Sequence, residues 1–368
     1  MHRSHFYRTS RLLVPVLLTA GLTLRAAPPA QVAAAPPVVS PEQIRILEGH
    51  QFSVEAEDFT ADGKTLITGS RDGTIKVWNW QTGELLRTLT EHAKSAAATS
   101  APANDPQAAH RGMDVMGLTF SPHGDLIASC SADKTIKLWD AKTYTVLRTL
   151  TGHTDIVRDV AFSPDQKMLA SVSIDKTVRL WDVATGELKK TLSGHTARIK
   201  SVAYSPDGKF IITGGSENKI RVWDTQTGGQ LEPFDLAPSN APEDKENGIE
   251  VLSLTSDGKT LASSSHDTFV RIWDVQTRKL LHKLAGHTQE VDCCRFVPDG
   301  KTLISGCKDK TIKIWDVQTG NLLTTLTGHT GRVESMNISP DGKTLVTGGG
   351  GGEIVVRLWN VSKWTARG

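Results

Sequence analysis

Cysteine is scarce, four residues in 368, and the four form no regular framework: Cys130 stands alone while Cys293, Cys294 and Cys307 fall close together. That argues against a fold stapled by disulfides and for buried thiols acting as small apolar side chains. A bridge from Cys307 to Cys293 or Cys294 stays open at this point. Long apolar runs are also missing. Leu12–Leu24 has 13 residues and is interrupted by Pro15, too short for a bilayer core, which needs about 20. Net charge is nearly absent, with 42 Lys and Arg against 40 Asp and Glu. Arg3, Arg8, Arg11 and Arg25 all precede the first acidic residue, Glu42, and without them 38 basic residues face 40 acidic ones. Such a chain lacks the basic footprint that nucleic acid requires. There is no Cys-x-x-Cys pair, Gly-x-Ser-x-Gly elbow, His-Glu-x-x-His or phosphate loop. The glycine run Gly348–Gly352 lacks the Lys-Ser/Thr ending of a phosphate loop. No metal, cofactor or catalytic group is therefore expected.

The first 34 residues differ from the rest. Met1–Arg11 is basic, Leu12–Leu24 apolar, and small residues run from Arg25 to Ala35. This is the order of a secretory signal, with cleavage after Ala26 or near Ala34; an uncleaved anchor is the competing reading. A proline-rich linker follows over residues 35–42. The reading predicts export to the periplasm or beyond, and no membrane span in the mature chain.

What dominates the remainder is a repeat. Trp78, Trp139, Trp181, Trp223, Trp273, Trp315 and Trp359 each end an alternating apolar run and precede Asp or Asn, at spacings of 61, 42, 42, 50, 42 and 44. Within one unit, Ser163-Pro164-Asp165-Gln166, Ile174-Asp175-Lys176 and Ala184-Thr185-Gly186-Glu187 are turns separating four short strands. Four antiparallel strands per unit make a propeller blade. Ile44–Leu47 stands where a fourth strand stands in other units, so the ring should be closed by the amino-terminal strand completing the last blade. The prediction is an all-β, seven-bladed propeller over residues 43–361, with a tail at 362–368.

The Gly-His, turn Asp and Trp-Asp residues, in register over Ile44–Asn360, resemble the WD-repeat family. The resemblance implies buried sets of His, Ser or Thr, Asp and Trp: His153, Ser171, Asp175 and Trp181 in blade three, His50, Thr68, Asp72 and Trp78 in blade one, His287, Ser305, Asp309 and Trp315 in blade six. His195, Trp223, His329, Trp359, Asp133, Trp139, Asp267 and Trp273 hold equivalent positions, all with structural roles. Some blades depart from the pattern. Glu91-His92 replaces Gly-His before blade two, with His110 competing; blade five lacks the histidine; blade four has Glu217 in place of Asp, and blade seven has only Glu353 nearby. Those blades are expected to be less rigid.

Three additions, Ala93–Gly112, Asp235–Gly248 and Gly349–Glu353, all fall on connections that emerge at one face, taken as the top. By resemblance, the fifth residue after each Gly-His histidine, or its aligned equivalent, lies at the top mouth of the central channel. Round the ring these are Glu55, Met116, Arg158, Lys200, Glu250, Asp292 and Glu334, an acidic crescent with a basic flank; His266 is the one unusual histidine on that face. An acidic crescent would draw a cationic partner. The resemblance thus implies a non-enzymatic scaffold, expected to be a monomer, that binds a protein or peptide of basic character through its top face. The alternative is an exported enzyme or small-ligand binder using the channel mouth.

Overall fold

The computed structural model describes residues 42–96, 112–217, 219–236 and 248–365. The segment read as a signal, nearly all of the linker, His110 and most of the two longest additions lie outside the described residues.

Twenty-eight strands form seven four-stranded antiparallel sheets, each a blade. In blade three, Val157–Phe162 pairs with Met168–Ser173, then Thr177–Asp182, then Leu188–Ser193. The turns are those the sequence specifies. Ser163 Oγ donates to Asp165 Oδ1 at 2.7 Å and accepts the Met168 amide at 2.9 Å, closing the proline turn. The ring closes as expected: Gln43–Leu47 pairs with Val356–Asn360, with Leu47 opposite Val356 and Gln43 opposite Trp359. The last blade therefore holds strands from both ends of the repeat region, and its outer edge is paired instead of left open.

The core lies between blades, not within them. Seven apolar clusters among the described residues each join one blade to the next, and each contains one repeat tryptophan. Trp78 packs with Leu47, Val346, Val356 and Leu358 of the last blade. Trp181 packs with Ile136, Leu138 and Leu150 of blade two. A tryptophan buries about 150–250 Å², so these seven residues carry much of the inter-blade adhesion. Trp80 packs edge-on against Phe59 and donates Nε1–H to Gly63 O at 2.8 Å. Trp364, on the short helix Ser362–Thr365, is buried against Val297, Leu345 and Val361 beneath blades six and seven.

All four cysteines are buried and unbridged, so the Cys307 bridge left open by the sequence does not form. No helix among the described residues is long and apolar enough to cross a membrane.

Candidate functional site: the mouth of the channel

Six of the seven blades are fixed near the top face by a chain of side-chain hydrogen bonds. In blade three, Trp181 Nε1–H donates to Ser171 Oγ at 2.8 Å, Ser171 Oγ lies 2.8 Å from His153 Nε2, and His153 Nδ1 lies 2.8 Å from Asp175 Oδ2. A neutral imidazole with its proton on Nδ1 satisfies every member. Blades one and six repeat the chain through His50, Thr68, Asp72 and Trp78, and through His287, Ser305, Asp309 and Trp315. Burial pushes the Asp72 carboxyl up, but the bonds from His50, Thr74 and the Gln51 amide outweigh it and hold it at about 2. Gly49 shows why glycine precedes the histidine: its φ of +144° suits glycine, and a Cβ there would meet the Trp78 ring at 3.4 Å.

Three of the four departing blades fill the motif places with other residues. His92 bonds Asp133 and Ser129 at 2.8 Å each, with Trp139 donating to Ser129 at 2.9 Å. It sits on a short helix, Glu91–Ala96, which removes the need for a preceding glycine. In blade four, His195 Nδ1 lies 2.6 Å from Glu217 Oε1 and its Nε2 lies 2.7 Å from Thr213 Oγ1, onto which Trp223 donates. In blade seven, Glu353 is the carboxylate itself. Its Oε2 accepts from His329 Nδ1 at 2.7 Å, and Arg357 Nε donates to Oε1 at 2.8 Å. His329 and Trp359 both reach Thr347 Oγ1 at 2.8 Å. Blade five is the true exception among the described residues. Trp273 still donates to Ser263, but Asp267 bonds Arg271 in place of a histidine.

Among the described residues, His287, Cys307 and Asp309 are a trio whose donor atoms lie within 4.8 Å of one another. They belong to the buried set of blade six: Cys307 stands where Ser70, Ser131 and Ser173 stand in other blades and makes the same bond, to Gln289 O at 3.2 Å.

The first strand of every blade lines the central channel, a cavity of about 530 Å³. All seven residues expected at the mouth, Glu55, Met116, Arg158, Lys200, Glu250, Asp292 and Glu334, line it. Below them the strands are tied across blades. Asp58 Oδ2 accepts the Phe120 amide at 2.7 Å, Asp159 Oδ2 the Val202 amide at 3.0 Å, and Ser253 Oγ the Phe296 amide at 3.0 Å. These ties hold the wall at fixed geometry.

The charge pattern at the mouth is not a bare acidic crescent. Glu55 Oε1 accepts from Arg71 Nε at 2.5 Å, and Arg71 also lies 3.5 Å from Glu334. Arg332 is paired with Glu334. Glu250 is paired with both Lys200 and His266, and Lys200 Nζ lies 3.1 Å from His266 Nε2. Lys308 is paired with Glu290. Three of the four crescent carboxylates are thus neutralised, and the expectation of a basic partner does not follow from this geometry. The exception is Asp292, whose Oδ2 is covered and without a hydrogen-bonding partner. Burial pushes its carboxyl up to about 8, with the charge of Glu334 adding to the rise. Burial and the charge of Glu55 likewise raise Glu334, to about 7.

Arg71, His266 and Lys308 hold one structural position, directly before the turn carboxylate Asp72, Asp267 or Asp309. Reading that position round the ring, as the mouth position was read, would have found the counter-charges.

A family model described as WD domain, G-beta repeat matches residues 41–79, 105–140, 144–182, 186–224, 243–274, 278–316 and 320–360. The chain belongs to the WD40-repeat family. Its curated relatives include nuclear distribution protein PAC1 of Arthroderma benhamiae, 32% identical over 31% of this chain and 32% of the relative. The protein of the same name from Gibberella zeae is 36% identical over 31% of this chain and 22% of the relative. That of Arthroderma otae is 30% identical over 31% and 32%. The WD40 chain thus matches no more than about a third of these relatives' length. These relatives correct the expectation of export: each carries the name nuclear distribution protein, which is not the name of an exported protein.

Proposed function

We propose that this WD40 protein is a non-enzymatic scaffold that binds a protein or peptide partner through the top face of the propeller. The observation that carries the reading is the convergence of seven variable mouth residues on one cavity, above a wall of invariant architecture. The buried His–Ser/Thr–Trp chains and the cross-blade ties absorb the fixed residues of each blade. The mouth residues take no part in those chains and mix acidic, basic and apolar side chains, as recognition requires. A rigid wall also lowers the ordering cost of association, because the contact loops are positioned before the partner arrives. Family membership favours the same reading, since WD-repeat propellers resemble one another in assembling complexes. The matched relatives are named for nuclear distribution, and a role in that process is a further, coarser suggestion for this chain.

The test is capture of partners from native extract by the wild type and by a variant with Glu250, Asp292 and Glu334 replaced by alanine, after confirming equal folded content. A partner retained by the wild type and lost by the variant supports the reading. Equal capture by both moves the site away from the mouth.

A further inference from the structure

Among the charged mouth residues, two stand apart. Glu55, Lys200, Glu250 and Glu334 are all ion-paired within the protein. Among the described residues, Arg158 and Asp292 are not. Arg158, in blade three, is half-buried and lines the cavity. Its covered Nε has no hydrogen-bonding partner. It lies in the field of Asp114 and Glu334, yet forms no ion pair with either among the described residues. Asp292, in blade six, is also half-buried and lines the same cavity. Lys308, Arg332, Glu250 and Glu334 act on it through space, without an ion pair or hydrogen bond among the described residues.

An unpartnered, partly buried charge costs stability, because desolvation is not offset by a hydrogen bond. Here one such cation and one carboxyl, held protonated near neutral pH until a cation ionises it, sit on well-separated blades of one ring, facing one cavity. Their neighbours are already matched to each other, which leaves these two groups as the mouth's open valences. A ligand of a single sign would satisfy one and leave or repel the other. A ligand bearing both signs would satisfy both.

Building on the scaffold reading above, we infer that the mouth takes a peptide segment presenting a carboxylate and a cationic side chain together, the carboxylate on Arg158 and the cation on Asp292. Arg158 supplies a planar fork suited to a carboxylate. Asp292 supplies an acceptor-only oxygen pair once ionised, suited to an ammonium or guanidinium. Binding of the cationic end favours the ionised form of Asp292, so complex formation should release a proton near neutral pH and strengthen as pH rises from 6 to 8. Glu334 faces the same space, its carboxyl raised as well, but it is ion-paired with Arg332 and Arg71 in the free protein. Replacing Asp292 by asparagine therefore separates the two contributions.

The probe is a set of end-blocked peptides, Lys-(Gly)n-Glu with n from 0 to 4, against single-charge controls in which Gln replaces Lys or Glu. Binding to the full chain is read by fluorescence polarisation at low salt. At the best spacer, the doubly charged peptide should bind about tenfold or more tightly than either control, the worth of one charge-assisted bond. Asp292→Asn should erase the preference for Lys and the pH dependence while keeping the preference for Glu; Arg158→Gln should do the converse. Controls that bind as tightly as the doubly charged peptide, or no binding at any spacer, would overturn the inference. The controls need no variant, so a misfolded variant does not leave the question open. The scaffold reading fails separately, if a partner captured from extract is indifferent to the mouth.

Discussion

His329 Nδ1 donates to Glu353 Oε2 at 2.7 Å across 24 residues of chain, whereas the histidines of blades one, three and six reach their aspartates across 22. The longer turn of blade seven sets the backbone at a different distance, and the extra methylene of glutamate makes up the reach. Glu353→Asp should therefore lose the bond and leave His329 Nδ1 and Arg357 Nε without the carboxylate they share, costing about 1–3 kcal/mol. Glu217→Asp in blade four is the contrast. Its spacing from His195 is 22, which accommodates aspartate in other blades, so its cost should be clearly smaller. Urea denaturation of the two variants checks the order; equal costs would mean that turn length does not decide the choice.

Glu57 occupies a position that holds Leu118, Val160, Val202, Leu252, Cys294 and Met336 in the other blades. It is buried at the seam between the first and last blades, where its Oε1 accepts from Ser335 Oγ at 2.7 Å and its Oε2 has no partner. Burial pushes this carboxyl up to about 8, against the opposing pull of the Ser335 hydroxyl and the charge of Arg295; Glu55 and Asp58 add to the rise. In the unfolded chain it ionises near 4.5. Between those values the folded state holds a proton that the unfolded state has lost, so stability falls as pH rises, by about 1.4 kcal/mol per unit, and levels off above pH 8. Glu57→Gln removes this dependence. Its melting temperature should match the wild type near pH 4 and exceed it by a growing margin up to pH 8. A difference that does not change with pH would contradict this account of the seam.

The closing strand invites a simpler experiment. Gln43–Leu47 covers the edge of Val356–Asn360, and Leu47 is part of the apolar cluster that holds Trp78. Deleting these five residues should lower the melting temperature by several degrees and leave an unpaired edge prone to self-association. Sedimentation velocity together with thermal unfolding reports both effects. A monomer of unchanged stability would show that the ring does not depend on this strand.

The fold was legible because its determinants recur in register: a tryptophan ending each third strand, a proline or Asp turn at a fixed offset, and a fourth-strand sequence stranded ahead of the first Gly-His. Period and turn chemistry are local, and a single chain displays them. That the seven mouth positions line one cavity was legible for the same reason, as one offset counted from each histidine or its aligned equivalent. Their partners were not. Lys200 and Glu250 meet across 50 residues and Arg71 and Glu334 across a ring closure, contacts that follow from the circular arrangement of blades and not from any local pattern. His92 and Glu353 were misjudged because each replacement comes with a compensating change, a helix in one and a longer turn in the other. Glu57 was visible as a charge in an apolar column, once that column was aligned through the bulge that every first strand contains.

The central claim is that partners engage the top face. It is tested most directly by placing a photo-cross-linking amino acid at Glu290, half-buried beside His266 at the mouth, and separately at Asp207, in a turn at the opposite end of the first strands. After irradiation in native extract, the account predicts a discrete protein adduct from position 290 and none from position 207. The same adduct from position 207 alone, or equally from both, would contradict it.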